Sequence, residues 1–163
     1  FDGNVHATPM RNITIAMNEP LGVMGICCPN DFPLLGFISL IAPAICLGNR
    51  VVVIPSQSFP LSATDFYQVI ETSDVPDGVI NIVTGKSKNL IKTLAEHDSI
   101  DGVWFFGSLE GSKEVENAST GNMKQTWVSN GKIYDWLDDK EGEGKIFLNK
   151  SSQVKNIWIP YGE

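Results

Sequence analysis

Between Leu21 and Val128 the chain repeats one unit: a short apolar run, a turn, then an amphipathic run. No other feature constrains the fold as much. Parallel strands need crossovers of a dozen or more residues, and helices of this length supply them. "LGVMGICC" (21–28) reads as the first strand, with glycines where another segment approaches. Asn30-Asp31 is an N-cap signal with Pro33 in the first turn, and Gly48-Asn49 closes that helix. "RVVVI" (50–54) is apolar enough to be buried on both faces. A second helix opens at Pro60-Leu61-Ser62 and runs to about Thr72. "PDG" (76–78) turns the chain into the strand "VINIV", and Ser87 to His97 reads as a third helix with Leu90, Ile91 and Leu94 on one face. "GVWFF" is the fourth strand, Ser108 caps a fourth helix to about Asn117, and "KQTWV" is the fifth strand.

This order predicts an α/β fold: a Rossmann-like doubly wound parallel sheet of about five strands, with helices on both faces. Ligands in such sheets sit beyond the carboxyl ends of the strands. Here those ends are Cys28–Asp31, Ile54-Pro55-Ser56, Thr84-Gly85-Lys86, Gly107-Ser108 and Ser129-Asn130-Gly131.

The flanks follow a different rule. "RNITIAMN", "GKIFLNKS" and "QVKNIWIPYGE" alternate polar and apolar residues, as half-exposed strands do. They predict a separate antiparallel ribbon built from the two chain ends, with exposed edges that invite pairing with another chain. "LDDKEGEG" (137–144) reads as a solvated acidic turn. At 163 residues the chain suits one domain. Its core is expected at about 18–132, with ribbon arms at about 1–17 and 133–163. It begins at Phe1, so it is expected to be a piece of a longer protein.

Composition narrows the function. A formal net charge of −7 without a basic cluster argues against nucleic acid. The longest uncharged stretch, Phe32 to Gly48, is short for a bilayer span and holds two prolines, so no membrane span is expected. Cys27, Cys28 and Cys46 lie in apolar runs and read as buried free thiols of a reducing, cytoplasmic compartment. His6 and His97 are far from them in sequence, so no metal site is expected. "TGKS" (84–87) is not a phosphate loop, because position 80 is Ile where that motif needs Gly. Gly107-Ser108 before a helix could receive a phosphate on free backbone N–H groups, although ordinary capping explains it equally. His97, near a helix end, reads as a capping or solvated residue.

The ordered motifs resemble the aldehyde dehydrogenase superfamily. "NEPLGVMGICCPNDFPLL" is similar to that family's E-P-x-G-V strand followed by P-W-N-F-P. "APAICLGNRVVVIPSQSFPLSA", "VPDGVINIVTG" and "VWFFGSLEGSKEV" are similar to three further family segments, and "TWVSNGKIYDW" falls where E-L-G-G-K belongs. The resemblance runs from about Asn18 to Lys132. It implies a nucleotide-binding fold and, from both chain ends, the family's oligomerisation ribbon.

The same resemblance implies a degraded site. The family's oxyanion-holding Asn falls at Asp31, whose carboxylate would repel a developing oxyanion, and its preceding Trp falls at Asn30. The ribose-holding Lys and Glu fall at Ile54 and Gln57. The Thr before Gly-Ser is Phe106, and the general-base Glu is Val128, which cannot move a proton. Pro29, Pro55, Gly107 and Ser108 keep positions that the resemblance assigns to vestigial cofactor contact. After Trp136 only 27 residues follow, none of them Cys, so the nucleophile-bearing catalytic domain is absent from this chain. The chain looks like the truncated, non-catalytic C-terminal domain of aldehyde dehydrogenase family 16.

The expected function is therefore a non-enzymatic one: dimerisation through the terminal strands, or docking of other proteins, within a longer aldehyde-dehydrogenase-family protein. A residual NAD(H)- or nucleotide-binding module is the alternative, although no cofactor is expected. Aldehyde oxidoreductase activity residing in the rest of the full-length protein is a further alternative. A different chemistry at Cys28 or Asp31 would need a nearby cation to lower a pKa, and the sequence offers none. Asp31 and Lys132, at neighbouring strand ends, are expected to pair across the former site.

Overall fold

The computed structural model describes residues 3–161. Two sheets organise them. The larger holds five parallel strands, β3 (Val23–Cys27), β4 (Arg50–Ile54), β5 (Ile80–Ile82), β6 (Gly102–Phe105) and β7 (Gln125–Val128), in the order β5-β4-β3-β6-β7. The order reverses between β3 and β6, so the crevice beyond their carboxyl ends is the topological switch point. Each crossover carries a helix: α1 (Pro33–Cys46), α2 (Leu61–Glu71), α3 (Ser87–Glu96) and α4 (Leu109–Ala118).

Strand alternation sorts the core into two halves. Met24, Ile26, Val51, Val53 and Trp104 meet Phe37, Leu40 and Ala44 of α1 and Ala63 of α2 on one face. Cys27, Ile54, Val103 and Phe105 meet Ile91 and Ala95 of α3 and Val115 of α4 on the other. Fully burying a side chain such as Phe37 or Ile26 contributes about 1.5–3 kcal/mol each. α3 and α4 start and stop as the sequence predicts: Ser108 Oγ accepts from the Gly111 N–H at 3.1 Å, and His97 is the residue that ends α3.

The smaller sheet is the expected antiparallel ribbon. It has three strands in the order β1-β2-β8: β1 (Asn4–His6), β2 (Asn12–Pro20) and β8 (Ser152–Pro160). β2 pairs with β8 along their full lengths, from Asn12 opposite Pro160 to Pro20 opposite Ser152.

Four expectations change. Asn30-Asp31 does not cap α1: Phe32 stands at the cap with φ 51° and no side-chain hydrogen bond, while Asn30 Oδ1 accepts from Ser56 Oγ at 3.1 Å. Residues 133–151 are not a ribbon arm, which starts only at Ser152. Within them "GKIFLNK" is not a strand but a helix, α6 (Lys145–Lys150), following a short α5 (Asp139–Gly142) in the acidic segment. Asp138 caps α5 by accepting from the N–H groups of Lys140 and Glu141 at 2.9 and 3.1 Å. Alternation misled because only Phe147 turns inward; Ile146 beside it is exposed. Finally, Cys27 and Cys28 are buried as expected, but Cys46, at the end of α1, is exposed.

Asn49 ties these parts together. It is 1% exposed, and its side chain is fully engaged. Oδ1 accepts from Gly22 N at 3.0 Å, and Nδ2 donates to Ala44 O at 2.9 Å and to Ser151 O at 2.8 Å. One buried amide thus joins the turn before β3, the end of α1 and the residue just before β8.

Candidate functional site

The turn after β7 is stitched to its neighbours by short polar side chains. Ser129 Oγ donates to Gly107 O at 2.9 Å and accepts from Gly107 N at 3.0 Å. Asn130 N donates to Ser112 Oγ at 3.1 Å, and that hydroxyl donates to Ser108 O at 3.0 Å. Asn130 and Gly131 take positive φ, 52° and 76°, which the Asn-Gly pair tolerates. The sequence places Ser129, Asn130 and Gly131 among the strand ends beyond which ligands sit. Ser129 and Asn130 instead fix the backbone of the β6–α4 turn.

Two clefts open at the switch point and share Asn30, Phe106, Gly107 and Ser108. The first, about 290 Å³, is further lined by Pro29, Asp31, Lys132, Tyr134 and Trp136. The second, about 310 Å³, lies between the N-termini of α3 and α4 and is lined by Cys27, Cys28, Ser87, Lys88, Glu110 and Glu114. The structure therefore brings together Pro29, Asp31, Gly107 and Ser108. Pro55 is apart from them, in a separate cleft of about 350 Å³ with Gln57 and Lys86. Val128 lines neither switch-point cleft; it packs against the core half that holds Cys27, Ile54 and Phe105.

The chemistry of these clefts is muted. Burial pushes the Cys27 thiol up to about 12, against a smaller opposing effect of a hydrogen bond with Ser87. Burial, and then the neighbouring Cys27, raise Cys28 as well. Neither is a nucleophile at neutral pH. Lys132 does not pair with Asp31 as expected. Its Nζ lies 2.8 Å from Glu141 Oε1 of α5 and 4.5 Å from the centre of the Tyr134 ring. Lys88 Nζ lies 2.9 Å from Glu114 Oε1, so an ion pair crosses the mouth of the second cleft from α3 to α4. Phe105 fills the space between two glycines there: a Cβ on Gly107 or Gly111 would lie 2.6 Å from its ring.

An aromatic cluster that sequence reading missed walls the first cleft. Phe106 meets Trp127, Tyr134 and Trp136 edge-on, with centroids 5.1, 5.1 and 5.5 Å away. Phe147 of α6 closes the cluster at 5.3 Å from Trp127. The available signal was three aromatics, at 134, 136 and 147, inside a segment read as ribbon and acidic turn. Among the described residues no group of three or more His, Cys, Asp or Glu is placed to hold a metal, and no helix is long and apolar enough to cross a membrane.

Comparison with known proteins agrees with this architecture. The sequence profile of the aldehyde dehydrogenase family matches residues 1–131. The chain is 35% identical over 130 residues to the NADP/NAD-dependent aldehyde dehydrogenase PuuC of Escherichia coli, covering 79% of this chain and 26% of that protein. It is 40% identical over 119 residues to human retinal dehydrogenase 2, covering 72% and 23%. Indole-3-acetaldehyde dehydrogenase in its apo form superposes with a TM-score of 0.76 at 33% identity, over 80% of this chain and 30% of that one. Its NAD+ complex superposes with a TM-score of 0.74 over 78% and 26%. The chain thus spans about a quarter of the length of the curated relatives it matches. By the profile that covers most of its length and by the matching fold, the chain belongs to the aldehyde dehydrogenase family.

Proposed function

We propose that this chain is a non-catalytic assembly module of a longer aldehyde-dehydrogenase-family protein and works through its ribbon. Any aldehyde oxidation then belongs to other parts of that protein. The observation that carries the reading is the ribbon itself. By register Val5, Ile13, Ile15, Met17, Ile157 and Ile159 share one face. Four of them, Val5, Ile13, Met17 and Ile159, are between 43% and 75% exposed. A contiguous apolar patch of this kind marks an interaction surface. It is the arrangement expected of a domain similar to the truncated C-terminal domain of aldehyde dehydrogenase family 16.

The cofactor carried by the NAD+-bound relative does not fit these residues. Ile54 is 1% exposed and offers no donor to a ribose. Gln57 Oε1 is already engaged, accepting from Ser87 N at 2.9 Å. Glu110 sits in the first turn of α4, where the helix dipole would otherwise favour a phosphate, and Glu114 lines the same cleft. Lys88 lines that cleft too and pairs with Glu114, so the carboxylate left to oppose a pyrophosphate is Glu110. Val128 at the end of β7 is aliphatic and packs against the core, so it cannot take a proton from a hydrate or thiol.

Titration calorimetry with NAD+ tests the reading against the nucleotide-binding alternative. The expected result is no heat of binding up to millimolar cofactor, and no reduction of NAD+ by the isolated chain with aliphatic or aromatic aldehydes. Saturable binding in the micromolar range, lost in Ser108→Glu, would overturn it.

A further inference from the structure

Residues 133–151 form a strap between β7 and β8, and the strap is attached at few points. Within it only Trp136, Gly142, Phe147 and Ser151 are buried. Trp136 is the first point of attachment. Its ring meets Phe106 edge-on and lies against α1, where a Cβ on Gly36 would come within 3.7 Å of it. The strap then folds back on its own backbone: a Cβ on Gly142 would lie 2.5 Å from the carbonyl oxygen of Trp136. Glu141 clamps the same loop from outside, accepting from Lys132 Nζ at 2.8 Å and from Asp135 N at 3.0 Å. Phe147 is the second point, its ring 5.3 Å from that of Trp127 and 6.4 Å from that of Trp104.

From Phe147 the chain reaches the ribbon without a loose joint. The Phe147 carbonyl accepts from the Ser151 N–H at 3.1 Å and from the Ser151 hydroxyl at 2.9 Å. Ser152 Oγ donates to Leu148 O at 3.2 Å, and Ser152 is already the first residue of β8, opposite Pro20. The first cleft is lined by Ile133, Tyr134 and Trp136 at the other end of the same strap. Sparse burial puts the strap among the least stable parts of the fold, while packed rings and a short helix are stiff enough to carry a displacement.

We infer that the strap is a coupling device between the switch-point cleft and the ribbon. Seated on the aromatic cluster, it shapes the wall of the first cleft and, through α6, holds the core-side end of β8 in register with β2. Released, it opens that wall and frays the ladder from the Pro20–Ser152 pair outward. A ligand that needs the seated wall therefore tightens the ribbon, and a contact that tightens the ribbon strengthens that ligand's binding by the same factor. The coupling lies within one copy of the chain and does not depend on the assembly reading.

Hydrogen exchange followed by mass spectrometry tests it, on the native chain and on two variants. Gly142→Ala drives a Cβ into the Trp136 carbonyl and unseats the strap while removing no buried side chain. Glu141→Gln keeps the shape and loses the ion pair with Lys132, so it unseats the strap more gently. In Gly142→Ala, exchange should rise severalfold both at 133–150 and at 152–155, while β4 and α3 keep their native protection. Glu141→Gln should show the same pattern with smaller amplitude. A rise confined to the strap, with 152–155 as in the native chain, overturns the coupling. So does a rise that is equal in β4 and α3, since that is general destabilisation. If Gly142→Ala does not fold, Glu141→Gln alone decides between the same outcomes.

Discussion

Lys132 reaches Glu141 at 2.8 Å, and Glu141 Oε2 also accepts from the Asp135 N–H at 3.0 Å. The residue that closes the turn after β7 thus holds the segment that follows it. Hydrogen bonding to Lys132 and then to the Asp135 backbone lowers the Glu141 pKa, and the hydrogen bond to Glu141 raises that of Lys132. A depressed carboxylate stabilises the fold above its ordinary range, and that share is lost as pH falls through the depressed value. A raised ammonium stabilises below its ordinary value, and that share is lost as pH rises through the raised one. Trp136 emission should therefore stay constant between these limits and shift beyond both. In Glu141→Gln the acid-side shift should disappear. Salt should weaken the latch, because both groups are exposed.

Phe106 stands where the resemblance places a threonine, and it centres the aromatic wall. Phe106→Ala should cost about 3–4 kcal/mol in denaturant unfolding, since it removes a ring that is 3% exposed and leaves a cavity between two tryptophans. Phe106→Thr should destabilise almost as much and should not create NAD+ binding, because Ile54 and Glu110 remain.

Asn49→Ala should cost about 3 kcal/mol, more than a typical substitution, because it strands Gly22 N and Ser151 O at a buried site, while Ala44 O keeps the backbone N–H of residue 49. Hydrogen exchange at residues 151–154 should rise more than in α2, since the lost amide holds Ser151 O beside the end of α1.

The thiols should separate into two classes. In the native state Cys46 should react promptly with a maleimide, while Cys27 and Cys28 should react only as the protein unfolds. Raising the pH to 9 should leave Cys27 protected, because burial holds its thiol neutral until about 12.

The sequence was most legible where period and burial agree. β4, "RVVVI", is buried on both faces of a parallel sheet, and α3 shows its apolar stripe in Leu90, Ile91 and Leu94. It was least legible between Lys132 and Ser151. There the structure depends on single long-range contacts: Phe147 entering a cluster built by β6 and β7, and Glu141 reaching back to Lys132. A six-residue helix with one buried side chain has no period to read. The expected Asp31–Lys132 pair failed for the same reason, since a residue nine positions downstream of Lys132 folded back to it first. At the site, Val128 in place of an acid was readable from sequence. The reciprocal hydrogen bonds of Ser129 with Gly107 were not, because they depend on how closely β7 and the β6–α4 turn approach.

The measurement that tests the central claim most directly is the solution mass of the chain by light scattering, from low to high micromolar concentration. The account predicts a mass rising to twice 17.8 kDa, and a variant lacking Ser152–Pro160 that stays at the monomer mass while keeping the far-ultraviolet signature of the five-stranded core. A native chain that remains a monomer throughout the range would contradict it.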